Sequence, residues 1–394
     1  MMRAVLVGSV FMAGLAACTT TSNEPPATQM MVDQRVSDAR RIAGEDLKFL
    51  MPICNPQPAV RAVPSPAMDE MLAKLIQQPS PEPGQAFDNL YYVGSAWVSA
   101  WVLKTSEGLI LIDALNNNKE AVDLIEGGMR QLGLDPAQIR YILVTHGHGD
   151  HYGGAQMLAE RYRARVVASE IDWKMMETEL EFDSKLWDRP PKRDIAVNEG
   201  DTLTLGDTTV HFLITPGHTL GTVTPVFDVR NGPQKHKAMI WGGTSFNFGR
   251  DLQRLDSYIA QTERVRELAA KWRIDVPLSN HPGYDGTVAK LKTKAANPAG
   301  PNPFVSGQSV VERAMQVLNT CARAQKNRFL LADSDPAGKS FASISQTGPW
   351  EVSSHEDDDH VTAHYFARSY SDAAQVSRRV FPFGMLWSNS EDVH

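Results

Sequence analysis

The chain has 394 residues, 42% of them hydrophobic and 22% charged. That suits one large globular domain with appendages or two small domains, and a core of roughly 250 residues buries enough apolar surface to fold unaided. The formal net charge is −7 with no long Lys/Arg run, which argues against a nucleic-acid partner.

Residues 1–18 have the form of a targeting segment, with Arg3 as a short positive start and Ala4 to Gly14 as an apolar run too short to span a bilayer. Leu15-Ala16-Ala17-Cys18 resembles a bacterial lipobox, so Cys18 is expected to be diacylated after cleavage of a lipoprotein signal peptide. Thr19 stands where an Asp would favour inner-membrane retention, which predicts an outer-membrane lipoprotein facing the periplasm. Residues 19–38, rich in Thr, Pro, Gln and Ser, read as a flexible tether within an N-terminal extension that runs to residue 85. Cys54 and Cys321 are the remaining cysteines. An oxidising compartment permits a disulfide between them; two buried thiols are the alternative.

From about Asp88 short strands succeed one another at Leu90 to Val93, Trp97 to Leu103 and Leu109 to Ile112. Asn118 to Leu132 has apolar residues at helical spacing, closed by Gly133. Ile139 to Val144 is an apolar strand that delivers the chain into His146. Gly153 to Tyr162 reads as a helix, Arg165 to Ala168 as a strand, and Thr208 to Ile214 as an alternating strand. Lys237 to Trp241 follows as a strand, Leu255 to Trp272 as a long amphipathic helix, and Val276 to Ser279 as a last short strand. Pro298 to Pro303 breaks the pattern before a closing helix at Ser309 to Asn327. Two sheets with helices outside satisfy this order: an α/β, four-layer αββα sandwich over residues 86–330. Residues 331–394 carry Glu356-Asp357-Asp358-Asp359, scattered Ser and no sustained period, and read as a loosely ordered tail.

The strongest signal is Thr145-His146-Gly147-His148-Gly149-Asp150-His151, three histidines and an aspartate within six residues between a strand and a helix. In an extended loop His146 and His148 point the same way and can reach one ion, while Asp150 and His151, past the bend, can turn to a second. The intervening glycines remove Cβ atoms that would crowd this approach. Zinc takes histidine nitrogen and carboxylate oxygen and, in catalytic sites, keeps a position open. Two more histidines sit just past strands: His218 in Pro216-Gly217-His218-Thr219 and His281 in Asn280-His281-Pro282-Gly283.

The order H-x-H-x-D-H, then P-G-H-T, then H-P-G resembles the metallo-β-lactamase superfamily, over roughly 60% of the chain from Asp88 to Asn327. Within it the pattern looks most like the third metallo-β-lactamase subclass. That resemblance implies two zinc ions, the first held by His146, His148 and His218, the second by Asp150, His151 and His281. Most hydrolases of the superfamily bridge their metals with an Asp after the strand equivalent to Lys237 to Trp241, and the first two lactamase subclasses place a Cys there. This chain reads Trp241-Gly242-Gly243-Thr244-Ser245, with neither. The third subclass has a serine, which makes Thr244 or Ser245 the candidate to hold a water or a substrate carboxylate. Asp113, in Ile112-Asp113-Ala114-Leu115, fits the role of orienting a ligand histidine through its free N–H, although the family usually has small residues and Gly after the Asp.

The resemblance implies a metal-activated hydroxide attacking a carbonyl, with Asp150 orienting the nucleophile. The small-molecule substrate is then a β-lactam, with lactones, thioesters or other amides as rivals and a non-catalytic metal-binding envelope lipoprotein as the alternative of another class. No G-x-S-x-G elbow offers a competing nucleophile. Trp173, Met175, Met176 and Trp187 read as a helix packing its apolar face, or as a loop overhanging the site mouth. His211 and His236 carry no signal, and His355, His360 and His364 read as part of a solvated tail.

Overall fold

A computed structural model describes residues 26–334, 350–357 and 360–367. The lipobox and Cys18 lie outside the described residues. The expected tether does not hold over its second half. Thr28 caps a helix, Gln29–Ala43 (α1), by accepting the Met31 N–H on its hydroxyl at 3.2 Å. The helix buries Val32, Ala39 and Ala43, and Gly44 closes it at φ +59°. A 3-10 segment, Lys48–Cys54, and a second helix, Pro66–Ile76 (α2), follow in the same extension, the latter capped by Ser65 with proline in its first turn. Cys54 is bonded to Cys321, with Cα atoms 4.5 Å apart, so the open question about these two cysteines resolves to a disulfide.

The first sheet comprises Gly84–Phe87 (β1), Leu90–Tyr92 (β2), Trp101–Thr105 (β3), Gly108–Ile112 (β4), Ile139–Leu143 (β5), Arg165–Ser169 (β6) and Ile195–Val197 (β7), hydrogen-bonded in that order. β1 to β4 are antiparallel and β4 to β7 parallel. The strand predicted from Trp97 begins only at Trp101, because Ser95 to Val98 turn back on themselves. The Ser95 and Val98 backbones bond at 2.9 Å, and the Ser95 hydroxyl accepts the Val98 N–H at 2.9 Å. Helices Asn118–Glu120 (α3) and Gly127–Gln131 (α4), joined by π-helical turns, connect β4 to β5. Gly149–Tyr152 (α5), Ala155–Tyr162 (α6) and Glu170–Thr178 (α7) surround β6 in sequence.

The second sheet has the order β12-β11-β10-β9-β8, from Thr202–Leu205 (β8), Thr208–Ile214 (β9), Val223–Asn231 (β10), Gln234–Trp241 (β11) and Val276–Ser279 (β12). Leu252–Trp272 (α8), Thr287–Ala296 (α9) and Gln308–Ser334 (α10) complete the main body. Strand alternation sorts the apolar side chains into three cores. Ile110, Ile112, Leu143, Phe212, Phe227 and Ile240 meet between the sheets. Leu109, Leu111 and Ile142 face outward against Ile125, Leu158 and Trp173 of the first helical layer. Met239 and Trp241 face outward against Leu255, Tyr258 and Met315 of the second, where Ala39 and Ala43 of α1 also pack. This is the αββα sandwich. In the predicted tail, Trp350–Asp357 (β13) and His360–Ala367 (β14) pair antiparallel, a hairpin that the sequence pattern does not announce.

Because β4 and β5 run parallel, and β11 and β12 likewise, Asp113, His146, Gly242 and Asn280 all emerge at one edge of the sandwich. The sheets are stitched there by Val223 N–H to Thr145 C=O at 2.7 Å and Ser99 N–H to Asn280 C=O at 2.9 Å.

Candidate metal centre

All six predicted ligands meet at that edge, each buried. His146 donates Nδ1–H to the Gly242 carbonyl at 2.7 Å, His218 to that of Ser245 at 2.8 Å, and His281 to that of Trp97 at 2.8 Å. His151 directs Nδ1 to Asp113 Oδ2 at 2.8 Å. Each tie orients its ring and, when that ring is neutral, leaves a lone pair on Nε2. Those lone pairs converge: His146 and His218 Nε2 lie 3.1 Å apart, His151 and His281 Nε2 3.3 Å apart. Two facing lone pairs repel unless a proton or a metal cation lies between them, and two ligands of a tetrahedral zinc ion with ~2.0–2.1 Å bonds are about 3.3 Å apart. Asp150 Oδ2 is 3.3 Å from His151 Nε2 and 3.7 Å from His281 Nε2, while its Oδ1 is buried without a partner. The residues present therefore fit a metal.

Two clusters have ligand atoms within 4.8 Å of one another: His146 with His148 and His218, and His146 with Asp150 and His151. His146 thus stands between the sites, its ring 4.1 Å from that of His151. Burial, aided by neighbouring histidines, holds His146 and His218 well below the usual histidine range. Burial and the His151 charge push His281 down to about 4. His151 moves the other way: burial opposes its charge, but the Asp150 and Asp113 carboxylates raise it to about 10. The Asp150 carboxyl, despite burial, is kept below its usual range mainly by His151. The cluster without metal therefore keeps a proton on His151 between two carboxylates, and neutral rings ready to ligate.

The sequence profile of the metallo-beta-lactamase superfamily matches residues 98–231. The chain carries a metallo-β-lactamase superfamily domain. BJP-1, a subclass B3 metallo-β-lactamase of Bradyrhizobium japonicum, is 29% identical and superposes with a TM-score of 0.51, covering 67% of this chain and 96% of its own. A metallo-β-lactamase of Cronobacter sakazakii shares the fold at a TM-score of 0.56 and 24% identity, over 72% of this chain and 99% of its own. Among curated sequences, a hydroxyacylglutathione hydrolase of Rhodopseudomonas palustris (strain BisA53) is 33% identical over 149 residues, 37% of this chain and 51% of that protein. The chain spans about half the length of the curated relatives it matches. Within that domain it carries a histidine-rich candidate metal site.

In this superfamily domain Asp113 does more than orient His151. It also accepts the Thr145 N–H and hydroxyl at 2.8 and 2.9 Å, and it does so from a left-handed backbone at φ +62°. Ser245 lies behind His218, its carbonyl and its hydroxyl, at 3.2 Å, both turned to that ring's Nδ1. Thr244 offers its carbonyl to the Tyr258 hydroxyl at 3.0 Å. The two glycines before them are required by space. A Cβ on Gly242 would sit 1.9 Å from the Val223 oxygen, and one on Gly243 2.5 Å from His218 Cβ.

Several supporting residues were not singled out in the sequence. Asp172, on α7, ties the two histidine loops together by accepting the Gly147 N–H and Thr219 hydroxyl, each at 2.8 Å, and the Gly221 N–H at 3.0 Å. Asn280 donates to Gly242 C=O at 2.7 Å and to the Thr145 hydroxyl at 3.0 Å. Glu181 faces His148 Nε2 at 3.4 Å. Glu181 is in turn gripped by both Nη atoms of Arg254 at 2.8 Å. Arg254 also donates to Gly217 C=O at 2.5 Å and to the His218 carbonyl, with its guanidinium 4.5 Å over Phe248. Of the two expectations for the 173–187 stretch, the helix packing its apolar face is the one observed. α7 packs Trp173 and Met176 inward, and the coil after it brings Phe182 to within 4.8 Å of the His148 ring. Trp187 covers Gly149, whose Cβ would meet that indole at 2.4 Å. His211 and His236 lie away from the cluster: His211 packs on Trp272, and His236 bonds Asp275 at 2.6 Å. The side chains of His355, His360 and His364 are outside the described residues.

Proposed function

We propose that this domain is a di-zinc hydrolase that opens a cyclic amide, β-lactams foremost. One site would be held by His146, His148 and His218, the other by Asp150, His151 and His281. When bound, the ions supply an activated water and polarise the carbonyl it attacks. The chain's own residues do the rest. Asp150 Oδ1, buried and unpartnered, is placed to take the proton of the attacking water. The backbone carbonyls of Gly242, Ser245 and Trp97 keep three imidazoles in the ligating tautomer. Phe182, Trp187 and Tyr152 are buried around the loop and limit solvent there.

The observation that carries the β-lactam reading is the segment after β11. The stretch from Gly242 to Ser245 places two backbone carbonyls on His146 and His218, and no carboxylate or thiol where other branches of the superfamily have one. The sequence relatives favour a second reading, thioester hydrolysis, because those aligned here are named hydroxyacylglutathione hydrolases. Zinc-loaded protein assayed against penicillins, cephalosporins, carbapenems, acyl-homoserine lactones and thioesters separates the two. Thioester turnover without any β-lactam turnover overturns the first. Elemental analysis should return about two zinc ions per chain.

We also propose that the protein is an outer-membrane lipoprotein facing the periplasm, anchored through Cys18. The lipobox-like Leu15-Ala16-Ala17-Cys18 supports this. Cys18→Ser should move it from the membrane to the soluble periplasmic fraction; unchanged membrane association refutes the anchor.

A further inference from the structure

Thr244 and Ser245, the residues expected to hold a substrate carboxylate, are both engaged elsewhere. The Ser245 hydroxyl faces His218 Nδ1 at 3.2 Å. Thr244 lines a cavity of about 260 Å³ on the far side of the second sheet, walled by Met239, Trp241 and Met315. A carboxylate brought to the histidine cluster therefore needs another partner, since an anion taken out of water is costly unless it is paired. Two arginines stand beside the groups that surround His148. Arg254 is committed to Glu181 and to the Gly217 and His218 carbonyls. The other is Arg61, half-buried, with its guanidinium 5.8 Å over the centre of the Phe182 ring. Phe182 in turn packs edge-to-face against the His148 ring at 4.8 Å, so the cation is one ring away from a predicted metal ligand. The acids on either side of Phe182 are taken, Glu181 by Arg254 at 2.8 Å and Asp183 by Arg189 at 3.7 Å. Among the described residues no ion pair engages the Arg61 guanidinium.

The strap that carries Arg61 is fixed at several points. Cys54 is bonded to Cys321 of α10, and three residues on Gln57 exchanges two hydrogen bonds with Gln325, at 3.1 and 3.2 Å. The Ala59 carbonyl then accepts the Arg250 N–H at 2.7 Å. Gly249, at φ +80°, lets the strap lie flat on the loop after β11: a Cβ there would sit 2.8 Å from the Arg61 nitrogen. The same loop carries Ser245, which holds His218. Arg61 is thus held against the supports of two ligand histidines by a segment far from both in sequence. Resting on the hydrolase reading above, we propose that Arg61 is the specificity residue for the substrate's carboxylate. The guanidinium pairs with the carboxylate in a fork while the scissile carbonyl lies at the histidine cluster. Arginine suits this task, because it stays charged, matches a carboxylate with two parallel donors and keeps its place over an aromatic face. The substrate class is then an amide or thioester that bears a carboxylate.

The test pairs each acid with its ester: benzylpenicillin with its methyl ester, and S-acetylglutathione with its dimethyl ester. In zinc-loaded protein, Arg61→Met should raise KM for whichever acid is turned over by roughly tenfold or more, as for loss of a charge-assisted hydrogen bond, with kcat changed by less than about twofold. KM for the matching ester should move by less than about twofold, and Arg61→Lys, which keeps the charge, should recover most of the loss. If nothing is turned over, the hydrolase reading fails on its own account. Titration calorimetry of the same pairs then reads Arg61 separately, because it needs binding and no chemistry. Acid binding that Arg61→Met weakens, with ester binding unmoved, sustains the inference. Absence of acid binding, an acid KM or Kd unchanged in Arg61→Met, or equal losses for acid and ester overturn it and reduce Arg61 to a prop for Phe182.

Discussion

Arg254 is the residue whose removal the structure makes most informative. It donates twice to Glu181, once to the Gly217 carbonyl and once to the His218 carbonyl, and its charge lies over Phe248. The side chains of Arg254 and Glu181 are only 7% and 15% exposed, so the pair is well shielded from water. Arg254→Met keeps most of the stem but leaves Glu181 a buried carboxylate without its cation, and two loop carbonyls without a donor. Breaking a buried pair in this way costs about 3–5 kcal/mol. For a domain of this size that is a fall of roughly 6–15 °C in melting temperature. The double variant Arg254→Met/Glu181→Leu has no stranded charge, so it should recover at least about 1.5 kcal/mol relative to the sum of the single changes. Glu181 also holds His148, which gives a second readout. Glu181→Ala should weaken zinc in competition with a chromophoric chelator by about 10–100-fold, and Glu181→Gln, which keeps an acceptor oxygen, should restore most of it. Calorimetric melting of the four proteins decides the first point. An Arg254→Met melting temperature within about 2 °C of the parent, or strictly additive losses in the double variant, refutes the clamp.

Asp150→Asn should lower kcat by roughly 10³ or more on whichever substrate is turned over, with the fold intact by circular dichroism, because it removes the proton acceptor and weakens the second site. Replacing Cys54 and Cys321 by Ala opens a link across 267 residues and should cost about 4–5 kcal/mol in urea unfolding; an unchanged midpoint would show the bond contributes nothing. Glu181 is held below the usual carboxylate range, opposed by burial but favoured by His148 and Arg254. Its pairing therefore stabilises the fold above its unfolded value of about 4.3 and is lost as pH falls through the lower folded value, so Glu181→Gln should flatten the acid limb of the stability–pH curve below about pH 4.5.

The ligands could be read from the sequence because metal chemistry restricts residue type and spacing together. Three histidines and an aspartate in six positions after an apolar strand leave little else to mean. Their supports were hidden because nothing local marks them. Asp172 reaches Gly147 across 25 positions, Glu181 meets Arg254 across 73, and Asn280 meets Thr145 across 135. Each looks in sequence like an ordinary polar residue near a helix or strand end. The fold was legible where strands alternate cleanly, as at Thr208–Ile214, which the structure reproduces residue for residue. β10 escaped because Pro225 interrupts its pattern. The structure tolerates that proline because pairing with β11 begins only at Val226, so at position 225 the strand is bonded to β9 alone. α1 escaped for a different reason. Its buried face is built from Val32, Ala39 and Ala43, small residues with little hydrophobic contrast, in a stretch rich in polar ones. What makes it a helix is α10, whose Arg313 donates to the Ile42 and Ala43 carbonyls at 3.1 Å. Tertiary partners decide such elements, and they also decide the cavity: its wall joins Leu50 from the N-terminal extension to Leu318 beside the disulfide cysteine. Cutting that disulfide should therefore speed hydrogen exchange in this wall before it disturbs the histidine cluster, since the cluster is anchored on the sheet edges rather than on α10.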